Sequence, residues 1–167
     1  MAGLKTQVGT FVKAERLPRT QITKPDRPEE REKYKTDFAR NEAVTAPESA
    51  VLLILHFDVH PTRCARLNRL RLHVKDEKGN RYEYGAWRVF GPDYEYCGAA
   101  GDSMLVIGPW GNTFWDPVEI KPKFGTVYLI YPVPAEATGL VFTDGLVTID
   151  LEPYLKRERK QEAPERP

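Results

Sequence analysis

From Arg71 to Tyr84 the chain reads Arg-Leu-His-Val-Lys-Asp-Glu-Lys-Gly-Asn-Arg-Tyr-Glu-Tyr. Apolar and polar residues alternate on either side of Lys78-Gly79-Asn80. A period of two is the mark of a strand, because successive side chains point to opposite faces. The interruption supplies Gly and Asn, which tolerate the positive φ of a tight reversal. The pattern predicts a β-hairpin with arms at residues 67–75 and 80–90. Other alternating runs follow it, so the chain is constrained toward antiparallel β structure.

The same reading extends in both directions. Residues 5–17 predict a first strand carrying Val8, Phe11 or Val12, and Leu17, ended by Pro18. Residues 49–60 predict the most buried strand. Val51, Leu53, Leu55, Phe57 and Val59 make one face, and Leu52, Ile54, His56, Asp58 and His60 make the other. Residues 91–103 and 108–117 read as loops, with the short strand Met104-Leu105-Val106-Ile107 between them. Phe124 to Tyr131 predicts a strand that Pro132 and Pro134 close. Leu140-Val141-Phe142 and Leu146 to Leu151 supply the last strands. Seven to nine short strands separated by Gly/Pro turns predict an all-β sandwich.

A chain of 167 residues suits one domain with appendages. We divide it into a first strand region (1–17), a Pro- and charge-rich insertion (18–48), a main sandwich (49–155) and a charged tail (156–167). Within the insertion, Asp26-Arg27-Pro28-Glu29 reads as a helix start: a capping side chain, a first-turn proline and a capping-box glutamate. It predicts one short helix at 27–40, with Tyr34 and Phe38 along one side. The tail, rich in charge and proline, predicts no structure of its own.

Lys and Arg total 25 against 24 Asp and Glu, a net charge of +1. No global field favours nucleic acid or an anionic surface. The many charges and the 14 prolines suit a heat-adapted, thermostable protein. Met1 to Lys5 leads into no apolar stretch, and no run approaches the roughly 20 residues of a membrane helix. The expectation is an intracellular or virion chain, or an extracellular one if a leader was removed. Cys64 and Cys97 define no disulfide framework and are expected free in a reducing cytosol.

Candidate chemistry is sparse. His56, Asp58 and His60 share one strand face, and with His73 from a neighbouring strand they are the candidate metal ligands. Cys97 has no base in a recognisable motif, and Asp93, Glu95 and Asp102 do not match a calcium loop. No phosphate loop or nucleophile elbow is present. Arg63, Arg66, Arg69 and Arg71 crowd one segment and are expected to be solvated or salt-bridged. The large aromatics in the two loops need cover. Trp115 is expected to cap the end of the sandwich. Tyr94, Tyr96, Trp110 and Phe114, with Tyr34 and Phe38, are the candidate partner-binding residues, because aromatic side chains dominate binding hot spots. Trp87 is expected in the core.

The order of these elements resembles the telokin-like, immunoglobulin-fold domains of unknown function found in bacterial secreted proteins and lipoproteins. The likeness rests on Val8-Gly9-Thr10-Phe11, on Val51 to Val59, on the turn Asp76-Glu77-Lys78-Gly79-Asn80-Arg81-Tyr82, on Gly125 to Pro134, and on Gly139-Leu140-Val141-Phe142. These motifs are structural. The resemblance implies an immunoglobulin-like antiparallel sandwich and says nothing of an activity. The functional expectation is a non-enzymatic interaction or assembly subunit, such as a virion decoration or filament component. It would act through a protein partner or self-association, without cofactor or nucleic acid. The alternative is a small-ligand or metal-binding module using the His/Asp/His face.

Overall fold

The computed structural model describes residues 3–19, 44–89, 94–97, 103–111 and 113–155. Among them are fourteen strands. They are β1 (Leu4–Lys5), β2 (Thr10–Leu17), β3 (Ala50–Asp58), β4 (Ala65–Leu67), β5 (His73–Lys75), β6 (Arg81–Glu83) and β7 (Ala86–Val89). Then come β8 (Tyr94–Tyr96), β9 (Met104–Ile107), β10 (Thr113–Asp116), β11 (Val118–Pro122), β12 (Thr126–Pro134), β13 (Val141–Thr143) and β14 (Thr148–Asp150). A single helical turn, residues 152–155, follows β14. The expected helix at 27–40, its Tyr34 and Phe38, and the tail lie outside the described residues.

The fold is all-β, with antiparallel sheets arranged in a way that fits a sandwich. A five-stranded sheet runs β1-β2-β3-β12-β7, a four-stranded sheet β14-β13-β5-β6, a three-stranded sheet β4-β11-β8, and β9 and β10 form a ribbon. The main core draws on all of them. Leu53, Leu55 and Phe57 of β3 and Val127, Leu129 and Tyr131 of β12 meet Ala65, Leu67 and Ile120 from one sheet and Val74, Phe142 and Ile149 from another. The two faces expected for β3 are both present. Leu52 and Ile54 point the opposite way, into a smaller cluster with Ala86 and Ile130, covered by Leu17, Val44, Ala46, Trp110 and Tyr128.

Three local details follow from the sequence. In β2 the register against β3 slips between Phe11 and Lys13, so Val12 is an extra, bulged residue. The slip lets Phe11 and Ala14, an odd number of residues apart, both face the core. The hairpin is real but shorter than expected: β5 pairs with β6, and residues 68–72 form a turn instead of extending the first arm. Gly79 carries the positive φ of 86°. Asn80 serves differently, donating its side-chain amide to Asp76 Oδ2 at 2.9 Å. Asp76 Oδ1 accepts from the Lys78 and Asn80 amides, and Tyr82 donates to Oδ2. These donors, the Asn80 side chain foremost, hold the Asp76 carboxyl below its ordinary value.

Pro132 and Pro134 do not close the strand as expected; β12 runs through both. The reason is geometric. Gly85 N–H donates to Ile130 O, so even-numbered residues of β12 turn their backbone groups toward β7. β7 pairs only as far as Ile130. Beyond it that side of β12 is an edge, where a missing N–H costs no ladder bond.

Two expected loops also contain strands. Tyr94–Tyr96 pairs with β11, and Thr113–Asp116 pairs with β9.

Candidate protein-docking surface

The β9–β10 ribbon stands on the body by one face. Val106 lies opposite Phe114, and Met104 opposite Asp116. Phe114 is buried, its ring 5.5 Å from that of Tyr84. Asp116 is buried too. Its Oδ1 accepts from the Tyr84 hydroxyl at 2.6 Å and from the Arg69 amide at 2.9 Å. The Arg69 guanidinium lies 3.7 Å from the other carboxylate oxygen and 3.7 Å from Glu83. Burial, and then the Asp116 charge, push the Tyr84 hydroxyl well above its ordinary pKa. The lock therefore joins a protonated phenol to a carboxylate, with an arginine beside it. The Asp116–Pro117 peptide that leads into β11 is cis.

The tip of the ribbon is tied down as well. Gly111 has φ 77° and its amide donates to Gly108 O at 3.0 Å, closing the turn. Trp110 and Pro109 lie over Gly85. A Cβ there would collide with the Trp110 ring and approach Pro109 Cγ to 2.6 Å, so only glycine lets the tip lie flat.

The other face of the ribbon has no cover among the described residues. Leu105 is opposite Trp115, and Ile107 is opposite Thr113. Leu105 is 56% exposed, Ile107 73% and Trp115 46%, and Met104 at the ribbon's end is 65% exposed. Alternation explains the arrangement. Val106 and Phe114 face in, so Leu105, Ile107 and Trp115 must face out.

This geometry revises several expectations. Phe114, expected to bind a partner, is core. Trp115, expected to cap the sandwich, points to solvent. Trp110 is half-buried as cover for the smaller cluster. Trp87 packs against the main core with its ring 5.3 Å from Tyr94. Tyr94 is half-buried beside it, and Tyr96, 5.5 Å further on, is half exposed. Tyr94 also lines a shallow cleft of about 430 Å³ with Pro61, Glu95, Lys121 and Lys123.

The four candidate metal ligands are not brought together. His56 pairs with Glu15 of β2 and sits edge-on to Tyr128, ring centres 4.7 Å apart. Asp58 ends β3 opposite Thr10 and Thr126. His60 lies past the strand, where alternation no longer applies, and its Nδ1 is 2.8 Å from Thr62 Oγ1. His73 is on β5, in the four-stranded sheet, opposite Glu83. Burial, then Arg81 and Lys75, hold it below its ordinary value, which disfavours the charged ring. Among the described residues no three His, Cys, Asp or Glu side chains gather as a metal site would require.

The cysteines, expected free, are bonded to one another, with S–S 2.12 Å and Cα atoms 6.3 Å apart. Cys64 directly precedes β4 and Cys97 directly follows β8, the two strands that flank β11. The bridge clamps the outer strands of that sheet. In the arginine-rich segment, Arg66 pairs with Glu119 at 3.4 Å and Arg69 with Asp116 and Glu83, as a salt-bridged strand would. No described helix is long and apolar enough to cross a membrane.

Comparison with family models, with curated proteins and with solved structures finds no match to this chain.

Proposed function

We propose that this chain is a non-enzymatic interaction or assembly subunit that docks through the outer face of the β9–β10 ribbon. The observation that carries the reading is the uncovered group Leu105, Ile107 and Trp115 on an element otherwise locked to the body. Scattered exposed apolar residues, such as Leu4 and Leu70, are ordinary. Three contiguous ones on one face, tryptophan among them, are the composition of an interface core. The Tyr84–Asp116–Arg69 lock supports the same reading, because a rigid face binds with less loss of conformational entropy. The Cys64–Cys97 bond suits an oxidising compartment or particle, where such bonds persist.

The test is a comparative capture of binding partners from the native source, with the wild type, Leu105→Lys/Trp115→Lys and Tyr96→Ala as baits. The reading expects partners, further copies of this chain included, that the wild type and Tyr96→Ala retain and the ribbon variant loses. Recovery that is equal for all three baits, or absent for all three, would overturn it.

A further inference from the structure

Resting on that reading, we infer that the partner of the ribbon is a second copy of this chain, docked face to face about a two-fold axis. The face is self-complementary in charge. Leu105, Ile107, Thr113 and Trp115 carry no charge, and Asp116, on the same ribbon, is buried on the opposite face. A copy meeting its own face thus encounters no like charge, and no acidic or basic partner is selected. Two such ribbons can stack face to face, since sheet faces pack about 10 Å apart with side chains interdigitating. A two-fold contact uses one patch twice; with the axis beside Ile107, the two Ile107 side chains meet and Leu105 and Trp115 of each copy pack around them.

The area sets the strength. The three outward side chains present roughly 400 Å² of apolar surface, within the range of the largest patch on an ordinary monomer. With their rim, two copies would remove roughly 1,000 Å² from water, the lower bound for a specific contact. The dimer is therefore weak and concentration-dependent, with Kd on the order of 10–100 μM. The other exposed apolar side chains do not offer this. Leu146 stands at the tip of the β13–β14 turn, and Tyr96 has buried Ile120 as its cross-strand partner, with no second exposed apolar side chain opposite it.

The test is sedimentation equilibrium of the full-length, oxidised chain, alone and as mixtures of variants. Ile107 is the most exposed of the three, so Ile107→Lys and Ile107→Glu leave the fold intact, which a thermal melt verifies. The wild type is expected to form a dimer that each single variant weakens at least roughly tenfold. An equimolar mixture of Lys and Glu variants is expected to recover dimer, because only a contact between copies brings the two charges together. A wild-type monomer at all concentrations would overturn the inference, as would a dimer indifferent to Ile107 or a mixture that stays monomeric. A monomer whose ribbon still captures a foreign protein sinks this inference alone. A monomer whose ribbon captures nothing sinks the docking reading with it.

Discussion

β3 and β9 are both short apolar runs, yet they end in opposite surroundings. β3 lies between β2 and β12, with a core cluster against each face. Among the described residues, β9 has one partner strand, one covered face and one bare one. The comparison teaches that an apolar run records a need for cover without saying who supplies it. For β3 the cover is this chain. For β9 we assign it to a second copy.

The largest effect is expected in β3. Phe57→Ala removes a fully buried ring that touches Phe11 and Phe142, and should cost about 3–5 kcal/mol in chemical denaturation. A cost under about 1 kcal/mol would break the contrast between the two strands.

Next comes the sheet that carries the disulfide. Cys64→Ser with Cys97→Ser opens a loop of separation 33 and should lower stability by about 3–4 kcal/mol. Thiol titration of the unfolded, unreduced protein provides a direct check, and two free thiols would contradict the bond.

The hairpin turn adds a pH signature. Folding depresses the Asp76 pKa, so its contribution is complete above the unfolded value, near 3.8, and is lost as pH falls through the lower folded one. Asp76→Asn should melt below the wild type at neutral pH, with the gap closing in acid. A gap independent of pH would mean the carboxylate's charge is immaterial.

The smallest effect is expected on the ribbon. Ile107→Ala should change the stability of the monomer by no more than about 0.5 kcal/mol, because its side chain has little cover to lose. A loss comparable to that of Phe57→Ala would mean the ribbon packs within its own chain.

The sequence made the strands legible where the alternation was long and both neighbours lay in the same sheet. The two faces of β3 and the Gly79 turn were read from it, and of the four arginines expected to be solvated or salt-bridged, Arg66 and Arg69 pair with carboxylates. What escaped depends on contacts distant in the chain. Cys64 and Cys97 stand 33 residues apart at the ends of β4 and β8, and no local pattern announces that they meet. His56, Asp58 and His60 alternate in sequence, but the strand stops at Asp58 and Glu15 occupies His56. The prolines of β12 looked like stops because nothing local reveals that β7 ends at Ile130's level. In the ribbon the clue was present. Thr113-Phe114-Trp115-Asp116 following a Gly-Pro turn permits a strand, and one of its two aromatics must then face out. Which one faces out depended on where Tyr84 lay.

The most direct test of the central claim is carbene footprinting of side chains over a concentration series of the full-length chain. The account predicts that labelling of Leu105, Ile107 and Trp115 falls as concentration rises, while labelling of Leu146 and Tyr96 stays constant. Constant labelling of the three ribbon residues across the series, or protection that appears elsewhere instead, would contradict it.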